Sequence, residues 1–221
     1  NLGFVFEQKG DVEGADALYR KVLESKHDHA AAHNNLGVTL VKRGALEQGA
    51  AEFQASIACN PDYLDAYINL GETSLKLGRV AEATRQFRAV LNRKPGNARA
   101  HYNLGVLADL SGNADEAVRC YQKALELKPD YAEAAGNLGI DYGMKGMLDQ
   151  AIDAFAVAVR IAPSDADYHH NLAEAYAMKG WTDKAKEEKG IAEKLEAGGA
   201  RLVAQTGYPR GKSSPSRAVT R

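Results

Sequence analysis

Residues 64–97 read LDAYINLGETSLKLGRVAEATRQFRAVLNRKPGN, and the order of apolar, small and turn residues in this stretch decides the fold. From Leu64 to Leu77, the residues Tyr67, Leu70, Gly71 and Ser74 recur at the three/four spacing that makes one face of an α-helix. Gly78 follows, a residue able to take the positive φ that ends a helix. A second helix is expected from Val80 to Asn92, with Ala83, Phe87, Val90 and Leu91 on its buried side. Small residues at Gly71 and Ala83 let the two backbones approach, and Phe87 fills the space beside them. Pro95 cannot sit within a helix and closes the unit. One helix pair cannot enclose a core, so such a unit is stable only when stacked on others.

The neighbours it needs are in the sequence. A Leu-Gly pair occurs at Leu2-Gly3, Leu36-Gly37, Leu70-Gly71, Leu104-Gly105 and Leu138-Gly139, each 34 residues after the last, and Leu172-Ala173 continues the series. Turn glycines keep the same step at Gly10, Gly44, Gly78, Gly112, Gly146 and Gly180. An aromatic follows at Tyr19, Phe53, Phe87, Tyr121 and Phe155, and prolines close units at Pro61, Pro95, Pro129 and Pro163. A sustained register of this length identifies a repeat array before any single element is considered.

This pattern resembles the tetratricopeptide repeat (TPR), whose Leu-Gly, Gly, Ala, Phe/Tyr and Pro positions match the residues quoted. The resemblance implies an all-α fold: a right-handed superhelical solenoid of antiparallel helix pairs with a concave inner groove. Units run over 1–29 (incomplete), 30–63, 64–97, 98–131, 132–165 and 166–199, followed by a flexible basic tail over 200–221. His27 replaces the first proline, and Ser74 and Ala108 replace a bulky residue late in the first helix. In the last unit Lys189 and Glu193 stand where neighbours carry apolar residues, the polar face a terminal capping repeat needs. Asn1 falls in mid-helix of its unit, from which more chain before residue 1 is expected: further repeats, an anchor or a catalytic domain.

Composition narrows the function. The chain is 45% hydrophobic and 26% charged with a net charge of −1, values of an ordinary soluble globular protein in the cytoplasm or periplasm. The tail carries Arg201, Arg210, Lys212, Arg217 and Arg221 with no acid, so the body before it is weakly acidic. An acidic body does not fit a nucleic-acid partner, and no apolar run is long enough to contact a membrane core. Two cysteines, Cys59 and Cys120, imply no disulfide framework. Cys59 aligns with Leu127 and Ile161 and reads as a small core residue. No phosphate-cradling loop, serine elbow or carboxylate pair stands out, so the chain reads as no enzyme and as needing no cofactor.

An asparagine precedes each leucine of the register: Asn1, Asn35, Asn69, Asn103, Asn137 and Asn171. Asparagine is a mediocre helix former, so a mid-helix series needs a reason. One reason is a ladder bonding neighbouring helices. The other comes from similarity to the repeats of O-GlcNAc transferase, which implies amides lining the inner groove and gripping the backbone of an extended peptide. The same resemblance places Val38, Val41, Lys42, Glu72, Lys76, Tyr102, Val106, Asp109, Ile140 and Met144 on that face. It lacks the basic cluster with which related repeats clamp chaperone tails. His27, Asp28, His29 and His33 lie close together, but His33, His101 and His169 recur at twice the repeat length and occupy one packing position, so no metal site is expected. The expected function is a scaffold that binds a protein or extended peptide within a larger complex. The alternative is the recruiting arm of a larger enzyme, such as a glycosyltransferase, whose catalytic domain lies outside this chain.

Overall fold

The computed structural model describes residues 11–206, with side chains as far as Gly198. The first turn glycine, Gly10, the leading asparagine Asn1, and most of the tail lie outside the described residues. Among those described there are eleven helices and no strand. They are α1 (Val12–Ser25), α2 (Ala30–Lys42), α3 (Leu46–Cys59), α4 (Leu64–Lys76), α5 (Val80–Arg93) and α6 (Ala98–Leu110). Then come α7 (Ala114–Leu127), α8 (Ala132–Met144), α9 (Leu148–Ile161), α10 (Ala166–Met178) and α11 (Thr182–Thr206). The last helix therefore runs through residue 199, where the final repeat was expected to end. No described helix is long and apolar enough to cross a membrane.

Each even-numbered helix opens a repeat and hands over to its partner through the same turn. At the end of α4, Gly78 sits at φ 74°. Its N–H donates to the carbonyl of Leu75 at 3.0 Å and the Arg79 N–H donates to that of Ser74 at 2.8 Å. These paired bonds are a Schellman cap, which satisfies carbonyls that a helix end otherwise leaves bare. Gly44, Gly112, Gly146 and Gly180 adopt the same left-handed conformation.

The chain forms two compact units, Asn1–Leu107 and Ala108–Arg221, with the division inside α6. In the first unit α2 packs on α3, α3 on α4 and α4 on α5. Phe53 lies against Leu70 of the following repeat, and Phe87 packs with Tyr67, Val90, Ala100 and Leu107. In the second unit Phe155 meets Leu172 and Ala175 of the next repeat as well as Ile140 and Ile152. Each aromatic thus serves two repeats, and burying one contributes about 1.5–3 kcal/mol.

The register glycines are where the pair closes. A Cβ built on Gly37, Gly71 or Gly139 would stand 2.6 Å from the ring of Phe53, Phe87 or Phe155. Repeats five and six exchange sizes further out. Gly136 of α8 leaves room for Tyr168 of α10, whose Cε1 would lie 2.6 Å from an added Cβ. Alanine stands at the position of Tyr168 in the units before it, at Ala66, Ala100 and Ala134.

Candidate peptide-binding face

In the first unit the register asparagines are tied into one hydrogen-bonded chain across α2, α4 and α6. Asn34 Nδ2 donates to Asn35 Oδ1 at 3.2 Å, and Asn69 Nδ2 donates to Asn34 Oδ1 at 2.9 Å. Arg99 Nη2 donates to Asn69 Oδ1 at 3.3 Å. The same guanidinium grips Glu72 with two bonds of 2.7 and 2.6 Å, and Asn103 Nδ2 adds a bond to Glu72 at 3.0 Å. The sequence-level ladder therefore exists, with Asn34, Arg99 and Glu72 as rungs between the asparagines. Each amide carries two N–H groups and two lone pairs, so a bond to a neighbour leaves Asn35 and Asn69 further hydrogen-bonding capacity. Asn103, by contrast, is only 4% exposed.

The remaining expected residues of this unit divide by burial. Lys42 and Lys76 are exposed at the last turns of α2 and α4. Tyr102 and Val106 are half-buried, and Val38 and Val41 are partly consumed by packing on Ala50, Phe53 and Leu70.

The second unit uses different chemistry. Tyr121 is fully buried; its hydroxyl donates to Asp109 Oδ2 at 2.6 Å and accepts from Asn137 Nδ2 at 3.3 Å. Asp109 and Asn137 are thus tied to a core tyrosine, and Asn171 is buried. Ile140, expected on the binding face, belongs instead to the core around Phe155, because its branched side chain fills the space beside Ile152. Met144 is 66% exposed, and the residues one repeat to either side, Leu110 and Met178, are 55% and 50% exposed. Sequence reading singled out Met144 and missed the other two, although the 34-residue step carried the signal. The same position in the first unit holds Lys42 and Lys76.

The histidines and cysteines take structural roles or face solvent. His33 Nδ1 lies 2.6 Å from Glu52 Oε2 and its Nε2 lies 2.9 Å from the His27 carbonyl. His169 repeats this with Glu188 at 2.6 Å and the Pro163 carbonyl at 3.1 Å. His29 Nδ1 caps α2 by accepting from the Ala32 N–H. No group of three metal-ligating side chains converges among the described residues. Cys59 is exposed at the end of α3 rather than in the core. Burial, reinforced by Glu116, pushes the Cys120 thiol up from its ordinary value.

Lys189 and Glu193 of α11 are exposed. Near the start of that helix, Trp181 is 41% exposed, with Lys184 Nζ 4.6 Å and Lys179 Nζ 5.7 Å from its ring centre.

Sequence profiles described as tetratricopeptide repeat match residues 2–63, 40–104 and 98–131, together more than half of the chain. A search of curated proteins finds no match. Among solved structures, YrrB, described as a TPR protein with an unusual peptide-binding site, is 24% identical with a TM-score of 0.61, covering 86% of this chain and 98% of its own. TTC0263, a thermophilic TPR protein in Thermus thermophilus, is 26% identical with a TM-score of 0.66 over 80% of this chain and 96% of its own. The Cut9–Hcn1 hetero-tetramer of the APC/C is 20% identical with a TM-score of 0.77, covering 88% of this chain and 38% of that one.

Proposed function

Because the chain belongs to the tetratricopeptide-repeat family, we propose that it is a non-catalytic scaffold that holds an extended peptide or protein partner against its opening helices, as part of a larger assembly. The observation that carries this reading is the exposed row of Leu110, Met144 and Met178 at one position of three successive repeats. Large apolar groups set out in register on a surface mark an interaction site, and methionine adapts its shape to varied side chains. On the first unit, taken by itself, the polar capacity of Asn35 and Asn69 offers hydrogen bonds to a peptide backbone, each contributing about 0.5–1.5 kcal/mol. YrrB lends support as a protein of the same fold with a peptide-binding site. No observation favours the recruiting arm of a glycosyltransferase as a second reading.

The test is selection of random peptides displayed on phage against the full chain. Selected peptides are expected to be rich in apolar residues, to bind at least about tenfold more weakly, a difference of 1.4 kcal/mol, to a Met144→Glu/Met178→Glu variant, and to leave its helical circular dichroism unchanged. Peptides that bind the folded variant equally well would place the binding surface elsewhere.

A further inference from the structure

Two of the chain's three methionines, Met144 and Met178, stand in the apolar row one repeat apart. Each is the last residue of its opening helix, α8 or α10, and each is exposed. The third, Met147, is half-buried where α9 begins and lies outside the row. Leu110 holds the row's position at the end of α6. The row on the second unit therefore owes its apolar character to two thioethers and one leucine.

That choice of residue brings a chemistry that leucine lacks. A methionine thioether takes one oxygen from a hydroperoxide and becomes a sulfoxide. A sulfur lone pair attacks one peroxide oxygen, and the S–O bond forms as the O–O bond breaks. The departing hydroxide removes the proton from the transferred oxygen and leaves as water. Sulfur is oxidised by two electrons, the peroxide is reduced, and no catalytic group is required from the chain. The product is polar, so it loses the gain from being covered by an apolar partner. Methionine sulfoxide reductases reverse the step, removing the oxygen as water while a pair of thiols is oxidised to a disulfide.

The fold tolerates a polar group at this position. Lys42 and Lys76 end α2 and α4 at the same register position and are exposed, in helices of the same length. The core around Phe155 contains neither Met144 nor Met178, so oxygen added to either lies outside that packing. The adjoining cations are already paired, Lys145 with Asp115 and Lys179 with Asp149 of the repeat before. A sulfoxide thus alters the surface and leaves the frame.

We propose that Met144 and Met178 form a reversible oxidation site, at which a hydroperoxide switches the partner surface from apolar to polar. The inference rests on the row being the surface that binds the partner. Leu110 does not take up oxygen in this way, so oxidation weakens the grip rather than deleting it.

The test treats the full chain with hydrogen peroxide, then with dithiothreitol to return the exposed Cys59 thiol to its reduced form. Tryptic mass spectrometry is expected to find sulfoxide at Met144 and Met178 about fivefold sooner than at Met147, with helical circular dichroism unchanged. The phage-selected peptides should then bind about tenfold more weakly, a difference of 1.4 kcal/mol, and methionine sulfoxide reductases should restore the lost affinity. In a Met144→Leu/Met178→Leu variant, peroxide should change the affinity by less than about twofold, whatever its starting value. Oxidised wild-type protein that binds as tightly as before, or that loses helix, would overturn the proposal. So would sulfoxide that forms no sooner in the row than at Met147, or an equal loss of binding in the leucine variant. A reduced chain that selects no peptide dependent on the row fails the row reading, and the switch with it. Peptides that depend on the row but survive its oxidation fail the switch alone.

Discussion

Alanine placed at Gly139 and at Gly190 should move stability in opposite directions, although both glycines lie within helices of the same unit. In a helix interior, glycine to alanine gains about 1 kcal/mol when nothing obstructs the methyl. Gly190 of α11 is such a site, since a Cβ there meets no atom within 4 Å. At Gly139 the new Cβ would stand 2.6 Å from Cδ1, 2.6 Å from Cε1 and 2.9 Å from Cγ of Phe155. The ring cannot swing aside, because it is 1% exposed and enclosed by Ile140, Ala151, Ile152, Leu172 and Ala175, and Cγ is fixed close to its own backbone. Overpacking of this kind costs about 1–3 kcal/mol. The net for Gly139→Ala is therefore a loss of up to about 2 kcal/mol, and the gap between the two variants gives the steric term. Urea unfolding followed by circular dichroism measures both. Adding Phe155→Leu to Gly139→Ala should recover part of the loss, with a coupling energy of about 0.5–3 kcal/mol. A Gly139→Ala protein as stable as Gly190→Ala would refute the close approach, and with it the account of why glycine occupies this position.

Native-state alkylation should modify exposed Cys59 about tenfold faster than Cys120, whose thiolate is disfavoured by burial; mass spectrometry of tryptic peptides reads the ratio. Ser74→Ala should stabilise the first unit by about 1 kcal/mol in urea unfolding, because the Ser74 hydroxyl oxygen is buried with no hydrogen-bond partner among the described residues. The hydrogen bond from Lys145, then its charge, holds the Asp115 carboxyl below its usual value. That contribution is complete above the ordinary carboxylate range near about pH 4 and is lost as pH falls through the depressed folded value. Lys145→Met should accordingly flatten the acid limb of the stability profile and leave the neutral limb little changed, as thermal melts across pH would show.

The fold was legible because every feature that sets it is periodic. A left-handed glycine after each opening helix, a small residue facing an aromatic, and a proline in the connection recur at one step, so each repeat confirms the next. The candidate face was legible only where it shared that step. Asn35 and Asn69 stand out because they recur, but their partners do not. Arg99 has Asp65 and Glu133 one repeat away, and nothing in its own helix announces that it clamps Glu72 of the preceding unit. Periodicity also misled. Cys59 aligns with Leu127, and an aligned leucine suggested a core position. Leu127 is itself 36% exposed, because both residues end their helices, where the chain turns away from the stack. Ile140 failed for the opposite reason: it shares a register position with half-buried Val38 and Val106, yet the neighbours of Phe155 draw it inward.

The packing register and the proposed apolar row therefore occupy different residues of one repeat. The periodic positions are bound by mutual packing: alter Gly139 and Phe155 must respond. Positions outside that packing are free to differ, and there the repeats specialise, lysine giving way to leucine and methionine at the ends of the opening helices. This puts apolar surface where neighbouring repeats are polar, at a cost that a stack with several shared aromatics absorbs. Restoring the row to the lysine pattern of its neighbours should leave the helices and their register in place and remove only the surface it offers. Binding lost while helical content and thermal midpoint hold is the signature that separates these residues from the periodic frame carrying them.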